Sequence, residues 1–220
     1  MQTHHSTFTL ARLTVHRIDF DPTTFTDADL LWLPHHIKLL PAGKKRKAEH
    51  LAGRLAAFYA LREQGLRQIP NIGDNRQPLW RPGWYGSISH SGTTAVAVVA
   101  REAVGIDLEG MFSAELSQKI ANSIINSAER ALLEKCGLPF PLALALVFSA
   151  KESLYKALSF TTDGQPGFAS AQIVALNGQR ITLQVDETFS PALVSQCFDL
   201  VWQQDSQRVI TLLAKTLEPA

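Results

Sequence analysis

Hydrophobic residues in the first hundred positions follow a strand period, then a helix period, then a strand period again. Weak alternation over residues 8–20 predicts one strand. Apolar residues at helical spacing predict a helix over residues 44–64, which Gly65 ends. Alternation over residues 85–90 and an apolar run over residues 94–100 then predict a hairpin.

The second half repeats the order of helix and then strands, although no sequence repeat is detectable. A strand is predicted over residues 104–109, and helices follow over residues 114–125 and 128–136; Pro139 and Pro141 then precede another helical run through Ala157. Strands then fit residues 172–176, 180–185, 197–203 and 207–214, and Asn177-Gly178 is a strong hairpin signal. We therefore predict an α+β fold with two similar subdomains, residues 1–102 and 103–220, each a helix plus an antiparallel sheet.

Composition narrows the functional classes. With 45% hydrophobic residues, the chain can fold without disulfide bonds. A net charge of +1 predicts no general affinity for nucleic acid. The two cysteines, Cys136 and Cys197, lack metal-site spacing and favour free thiols in a reducing compartment. No apolar run approaches the length of about 18 residues that a transmembrane helix needs, so we expect a cytoplasmic protein.

The strand over residues 104–109 carries an acidic face. Alternation places Asp107 and Glu109 together on one side, roughly 7 Å apart, opposite the apolar residues. Two carboxylates aimed at one point repel each other unless a cation lies between them. Gly105 shares their face, and we expect it to leave room for a ligand.

A second signature follows about forty residues later. Ser149 is predicted as a helix N-cap, which places Glu152 and Lys156 one turn apart on a polar face with Tyr155 and Ser159. If this helix meets the acidic strand, three carboxylates and an ammonium surround one hard cation. That is the usual setting for Mg²⁺ and a substrate phosphate.

A purely structural interpretation of the second signature stays open. Ser149-x-x-Glu152 is also a capping box. Glu152 and Lys156 form the favoured i,i+4 ion pair, which stabilises a helix by only about 0.2–0.5 kcal/mol. Taken alone, this pattern favours a structural role over a catalytic one.

Basic and hydroxyl residues in the first half are candidate phosphate ligands. Lys44-Lys45-Arg46-Lys47, with Arg54 two turns on, offers strong donors on a helix, although such a run is usually a solvated face. Ser87 and Ser89 share a strand face, and His90 ends the strand. We expect sheet hydrogen bonds to hold Ser89 and His90 on a strand adjacent to Asp107 and Glu109. The histidines without metal-site spacing are predicted to lie at the surface: His4, His5, His35 and His36.

Several of these segments resemble one enzyme family. Gly105-Ile106-Asp107-Leu108-Glu109 and Phe148-Ser149-Ala150-Lys151-Glu152-x-x-x-Lys156 are similar to the two defining motifs of the 4'-phosphopantetheinyl transferases of the two-subdomain, surfactin-synthetase-activating type. Further matching segments lie at residues 30–35, 46–54, 76–80 and 85–95. Within the family, the chain is most similar to members that serve siderophore synthesis in enteric bacteria.

The resemblance implies transfer of 4'-phosphopantetheine from coenzyme A to a serine of apo aryl and peptidyl carrier domains of a siderophore synthetase. It implies that Asp107 and Glu109 hold Mg²⁺, that Glu152 is the third ligand or the base that accepts the serine proton, and that Lys156 contacts a phosphate. Residues matched to coenzyme A phosphate contacts are Arg46, Arg54, Ser87, Ser89 and His90. It further implies two subdomains packed as a pseudo-dimer with the site between them. We expect a monomer, with peripheral association with the inner membrane as an open alternative.

One departure and two alternatives remain. Many relatives have Lys-Pro where this chain has Gln77-Pro78, and Arg76 is a candidate replacement for the missing cation. Another Mg²⁺-dependent phosphoryl-transfer enzyme, such as a nuclease, is disfavoured because Lys151 precedes Glu152 and no basic groove is evident. A catalytically silent carrier-binding module is disfavoured because the acidic residues and Lys156 are intact.

Overall fold

The computed structural model describes residues 1–74, 76–162, 164 and 166–214. The chain divides into two compact units, Met1–Glu102 and Ala103–Ala220. Each unit contains at least one α-helix and its own antiparallel sheet, which confirms the predicted α+β class. Within the described ranges, no helix combines the length and the apolar character that crossing a membrane requires.

The first half opens with a hairpin, so the prediction of a single strand over residues 8–20 is wrong. Strand β1 (Gln2–Leu10) pairs antiparallel with β2 (Leu13–Asp21) along its whole length. The chain reverses at Ala11 and Arg12, whose φ values of 48° and 64° lie in the left-handed region. Glycine and asparagine are the usual residues in such turns. Alanine and arginine, which occupy this turn, are not residue types that indicate a reversal of the chain.

The remaining strands of the first half follow its long helix, α1 (Lys44–Glu63), which confirms the predicted helix. Strands β3 (Asn71–Ile72) and β4 (Pro78–Leu79) form a small ladder of their own. The predicted hairpin is present as β5 (Tyr85–Ser91) and β6 (Thr94–Ala100). The main sheet has the strand order β1-β2-β6-β5.

Helix α1 approaches this sheet closely because its buried face is made mostly of alanine. The helix packs against β2, β5 and β6. At Gly53 an added Cβ would lie 2.8 Å from Ile88 Cγ2, so the helix backbone runs directly over β5. The buried residues of this face are Ala48, Leu51, Ala52, Ala56, Ala57, Ala60 and Leu61.

The second half begins with the predicted acidic strand. Its helices and strands are β7 (Val104–Gly110), α2 (Ala114–Ile124), α3 (Ser127–Lys135), α4 (Phe140–Leu158), β8 (Ala171–Asn177), β9 (Arg180–Val185), β10 (Cys197–Gln204) and β11 (Arg208–Ala214). The sheet has the order β7-β11-β10-β9-β8. The turn at Asn177-Gly178 joins β8 to β9 as predicted, with Asn177 opposite Arg180. Helix α4 packs on β7 and β11.

Strand membership corrects one expectation about the site. Ser89 and His90 lie on β5 in the sheet of the first half, whereas Asp107 and Glu109 lie on β7, which pairs with β11. The prediction that these four residues occupy adjacent strands is therefore wrong. The chain leaves one sheet at the end of β6 and enters another at the start of β7.

Candidate active site

Strand β7 meets helix α4 at Gly105, where the two backbones are in direct contact. An added Cβ at Gly105 would lie 1.9 Å from Ser153 O and 2.7 Å from Ala157 N. The expectation that Gly105 leaves room for a ligand is wrong, because the helix backbone fills that space. Its lack of a side chain instead lets the face of β7 that carries Asp107 and Glu109 lie directly against α4.

This contact places Lys156 beside Asp107. Lys156 Nζ lies 2.5 Å from Asp107 Oδ1 and donates to Ile106 O at 3.4 Å. The Asp107 side chain is 2% exposed, while that of Lys156 is 27% exposed. A carboxylate removed from water is costly unless a positive charge lies close to it. The ammonium of Lys156 supplies that charge.

Glu109 and Glu152 complete an acidic patch around the pair. The pKa of Glu109 is raised to about 7, first by burial and then by the charge of Asp107, while Lys156 opposes the increase. The pKa of Glu152 is also raised, mainly by burial. The charge of Lys156 opposes this increase, and that of Asp107 adds to it. We call Asp107, Glu109, Glu152 and Lys156 the acidic patch. The strand and the helix meet, and their ionisable groups act on one another.

The acidic patch has the donor chemistry of a magnesium site, since Mg²⁺ prefers hard anionic oxygens. The raised pKa of Glu109 reflects burial first and the neighbouring charge of Asp107 second, and a bound divalent cation would oppose both effects by favouring the carboxylate. In the part of the chain that the structure describes, no three His, Cys, Asp or Glu side chains are grouped so as to hold one metal ion. Coordination of one ion by all three carboxylates would therefore need their side chains to rearrange.

Ser149 lies in the middle of α4, so the predicted N-cap is wrong. The helix begins at Phe140, behind Pro139, and continues without interruption through Ser149. The Ser149 side chain is fully buried, and its Oγ lies 3.0 Å from Thr211 Oγ1. Ser149-x-x-Glu152 is therefore not a capping box. The apolar run that precedes Ser149 extends the helix upstream and overrides the local capping pattern.

Lys151 has a structural role that sequence reasoning missed. Its Nζ lies 2.7 Å from Glu129 Oε1 and donates to Ile124 O and Phe168 O. Both charged side chains are 2% exposed. Burial lowers the pKa of Lys151, and the bond to Glu129 opposes that shift. No sequence pattern marks this pair, because lysine and glutamate at helical positions are also typical of solvated faces.

A cavity of about 310 Å³ opens beside Glu152 within the second half. Its wall combines Glu152 and Tyr155 of α4 with the aromatic rings of Phe168 and Phe189. Ligand cavities typically pair an apolar wall with a few polar groups that fix orientation. A slender organic chain can therefore lie against the carboxylate of Glu152.

The first half contains a separate cationic cluster around Arg54. This residue is 4% exposed, and one of its terminal nitrogens donates to Asn71 O at 3.3 Å. Among the described residues, the buried Nε of Arg54 has no hydrogen-bond partner. The pKa of Arg54 is lowered to about 10, mainly by burial and also by the charge of Arg46. An anion would complete the bonding of such a guanidinium.

Two histidines extend this cluster. His35 Nε2 lies 2.9 Å from His50 Nε2, and His35 Nδ1 lies 3.1 Å from Asn71 Oδ1. The pKa of His50 is lowered to about 3, mainly by burial and next by the charge of Arg54. His50 is therefore neutral at neutral pH. His35 is 5% exposed, so the prediction that it lies at the surface is wrong.

The hydroxyl and imidazole candidates of β5 lie in the same half. Ser87 and Ser89 are buried on one face of the strand, as alternation predicts. His90 Nε2 lies 2.9 Å from a terminal nitrogen of Arg46, and its Nδ1 lies 3.9 Å from Glu49 Oε2. The structure therefore brings His90 to Arg46, one of the two arginines singled out from the sequence.

The basic run at the start of α1 divides into different roles. Lys47 is 8% exposed and pairs with Asp27 at 3.0 Å. Lys44 Nζ donates to Thr23 O at 3.0 Å. The Lys45 side chain is 82% exposed. Lys47 therefore stabilises the fold, whereas Lys44, Lys45 and Arg46 are exposed.

Two family models match the chain, one for each half. The 4'-phosphopantetheinyl transferase N-terminal domain matches residues 36–100. The 4'-phosphopantetheinyl transferase superfamily matches residues 103–212. The second match covers β7 and α4, the elements that carry the acidic patch.

Individual relatives match over nearly the whole chain. Enterobactin synthase component D of Salmonella typhi is 50% identical over 214 residues, which cover 97% of this chain and 91% of that protein. The protein of the same name from Escherichia coli K12 is 47% identical over 212 residues, covering 96% and 98%. A 4'-phosphopantetheinyl transferase of Nocardia iowensis is 30% identical over 165 residues, covering 69% and 73%.

Proposed function

The chain belongs to the 4'-phosphopantetheinyl transferase superfamily, and we propose that it loads the aryl and peptidyl carrier domains of enterobactin synthesis. In this reaction the 4'-phosphopantetheine group of coenzyme A passes to a serine of the apo carrier, and adenosine 3',5'-bisphosphate leaves. Relatives named enterobactin synthase component D, 47% and 50% identical to this chain, support that choice. The observation that carries the mechanism is the acidic patch of β7 and α4.

The attacking hydroxyl belongs to the carrier, so the enzyme needs no nucleophile of its own. The serine oxygen forms a bond to the phosphorus that bears the pantetheine, and the bond from that phosphorus to the bridging oxygen breaks. Glu152 accepts the serine proton, directly or through a water molecule. Its raised pKa makes it a better base at neutral pH than an exposed glutamate. Lys156 donates to a phosphate oxygen.

Asp107 and Glu109 would hold Mg²⁺ after a rearrangement of their side chains, which leaves Glu152 free as the base; Glu152 as a third ligand is the alternative. When bound, the ion would neutralise charge on the pyrophosphate. Lys156 lies 2.5 Å from Asp107 and neutralises it, and the Lys156 side chain stays 27% exposed, so its ammonium can also donate to a substrate phosphate. The dependence on Mg²⁺ is thus part of the proposal and follows from donor chemistry and charge.

The cationic cluster of the first half would bind the nucleotide phosphates of coenzyme A. Arg54 offers a buried donor with no hydrogen-bond partner in the described part of the chain, and Arg46 and His90 lie within hydrogen-bond distance of each other. Charge-assisted bonds from a guanidinium to phosphate are among the strongest that side chains make. Ser87 and Ser89 would add hydroxyl donors.

The remaining parts of the proposal concern location and assembly. The free thiols of Cys136 and Cys197 suit a reducing compartment, which supports a cytoplasmic enzyme. We extend the proposal to a monomer, because the family resemblance assigns every part of the machinery to one chain.

Mass spectrometry of an apo carrier domain, incubated with the protein, coenzyme A and Mg²⁺, tests the proposed function. We expect the carrier to gain the mass of one phosphopantetheine. Glu152→Gln is the matched variant: it should keep the parental melting temperature, because Glu152 caps no helix, and lose at least about a hundredfold in turnover. An unmodified carrier with the parent protein would overturn the proposal. Binding of the carrier without transfer would identify a silent binding module.

A further inference from the structure

Three buried hydroxyl groups join α4 to β11 beside the acidic patch. Ser149 and Ser153 on α4 and Thr211 on β11 are each 0% exposed. Thr211 Oγ1 lies 3.0 Å from Ser149 Oγ and 2.8 Å from Ser153 Oγ. Ser153 Oγ also donates to Thr211 O at 3.0 Å. These side chains therefore connect the helix to the strand in the interior of the second half.

The number of protons fixes the direction of these hydrogen bonds. Each hydroxyl has a single proton to donate. Because Ser153 donates to Thr211 O, Thr211 donates to Ser153 Oγ, and Ser149 donates to Thr211 Oγ1. Every proton of the three hydroxyls is used, and Thr211 is both donor and acceptor. Valine has nearly the shape of threonine but would remove both bonds of its hydroxyl.

The hydroxyl contacts lie on the same side of α4 as the reactive groups. Thr211 is directly opposite Asp107 in the sheet, so both side chains point to the face on which α4 lies. At about 100° per residue along a helix, Ser149 is about 60° from Glu152 and about 20° from Lys156 around the axis. A contact made by Ser149 therefore controls where Glu152 and Lys156 point.

Rotation of α4 about its own axis is the motion that these bonds oppose. A helical side chain extends about 5–6 Å from the axis, so a rotation of about 10° moves the Glu152 carboxylate by about 1 Å. A displacement of about 1 Å can slow a reaction about a hundredfold. Apolar packing is non-directional and resists such a rotation weakly, whereas hydrogen bonds weaken steeply with angle.

We propose that Thr211 is a positioning residue for the transferase reaction: by bonding to Ser149 and Ser153, its hydroxyl fixes the rotation of α4 and hence the positions of Glu152 and Lys156. In this role Thr211 touches no substrate and acts through the helix. The inference rests on the proposed function, because that function gives Glu152 and Lys156 their chemical tasks.

The variant Thr211→Val tests this role. Its melting temperature should fall by a few degrees, since two serine hydroxyls lose a partner. Its kcat should fall about 10–100-fold with the KM for coenzyme A unchanged, because the displacement affects chemistry and not binding. Thr211→Ser should restore kcat. The control is Thr182→Val on β9. It removes a hydroxyl that donates to Asp199 at 2.6 Å, and it should keep the parental kcat.

A triple variant separates positioning from stability. Ser149→Ala/Ser153→Ala/Thr211→Val removes all three hydroxyls, so none is left buried without a partner. Removal of both partners of a hydrogen bond is often nearly neutral for stability. The melting temperature should therefore return toward the parental value while kcat stays low. Recovery of both quantities would show that the hydroxyls only stabilise the fold, and it would overturn the inference.

The outcomes also separate this inference from the proposed function. If the parent protein transfers no phosphopantetheine, the proposed function is overturned and the inference with it. If the parent is active and Thr211→Val has the parental kcat, only the inference is overturned. The triple variant retains a folded sample for the measurement even when Thr211→Val alone unfolds.

Discussion

Replacing Gly105 by alanine inserts one carbon atom where β7 and α4 touch. That atom would lie 1.9 Å from Ser153 O, 2.9 Å from Ser153 C and 2.7 Å from Ala157 N. All three are backbone atoms, so no side-chain rotation relieves the overlap. Carbon to carbonyl-oxygen contacts normally span about 3.3–3.6 Å, so α4 has to withdraw by about 1.5 Å at this point.

The withdrawal has two costs. Overpacking a close-packed interior typically costs about 1–3 kcal/mol. The same movement separates Lys156 from Asp107, now 2.5 Å apart, and a buried carboxylate that loses its counter-charge costs about 3–5 kcal/mol. Allowing for partial relaxation, we expect about 3–5 kcal/mol in total. At about 2–4 °C per kcal/mol, the melting temperature should fall by about 6–20 °C.

Urea unfolding followed by circular dichroism measures the free energy, and turnover is compared where both proteins are folded. We expect less than about 1% of parental turnover, because Glu152 and Lys156 move with the helix. Gly167→Ala is the control for stability, since an added Cβ there has nothing within 4 Å and φ is not positive. A parental unfolding midpoint in Gly105→Ala would refute the backbone contact between β7 and α4.

Three further predictions test other parts of the molecule. Coenzyme A should raise the melting temperature of the parent and of the control Arg17→Met by similar amounts, and that of Arg54→Met by a smaller amount. Equal increases in all three proteins would show that Arg54 is not part of the phosphate site. In Lys151→Met the buried Glu129 loses its counter-charge, so urea unfolding should show a loss of about 3–5 kcal/mol, and Lys151→Met/Glu129→Gln should recover most of it; no recovery would contradict the assignment of the pair. The pKa of Glu109 rises from 4.5 to about 7 on folding, so the folded state holds this proton more tightly than the unfolded state. The stabilisation of the folded state by protonated Glu109 is therefore complete below pH 4.5 and is lost as pH rises through 7. Glu109→Gln should therefore lose less unfolding free energy than the parent between about pH 5 and 8, and identical slopes would argue against the raised pKa.

Local signals predicted the elements that place the site. The helical spacing before Gly65 identified α1, and the alternation over residues 104–109 identified β7 with its acidic face. Asn177-Gly178 identified the hairpin of β8 and β9. Each of these elements is encoded by neighbouring residues, so a single sequence is enough to find it.

Contacts between distant segments could not be predicted in the same way. The role of Gly105 depends on a helix almost fifty residues later, and that of Lys151 depends on Glu129. The reversal at Ala11 and Arg12 uses residue types that rarely adopt left-handed φ angles, so the pairing of β1 with β2 determines it. In these cases tertiary contacts override or exploit local preference.

The alanine face of α1 determines how the first half responds to mutation. Alanine has no side-chain rotamers, so the helix side of the interface between α1 and its sheet offers little scope for side-chain rearrangement. A larger residue at Ala52 or Ala56, both 0% exposed, therefore tends to push the helix away from the sheet. Arg46 and Arg54 are on that helix and would move with it. Mutations in the core of this half that displace α1 therefore also displace Arg46 and Arg54.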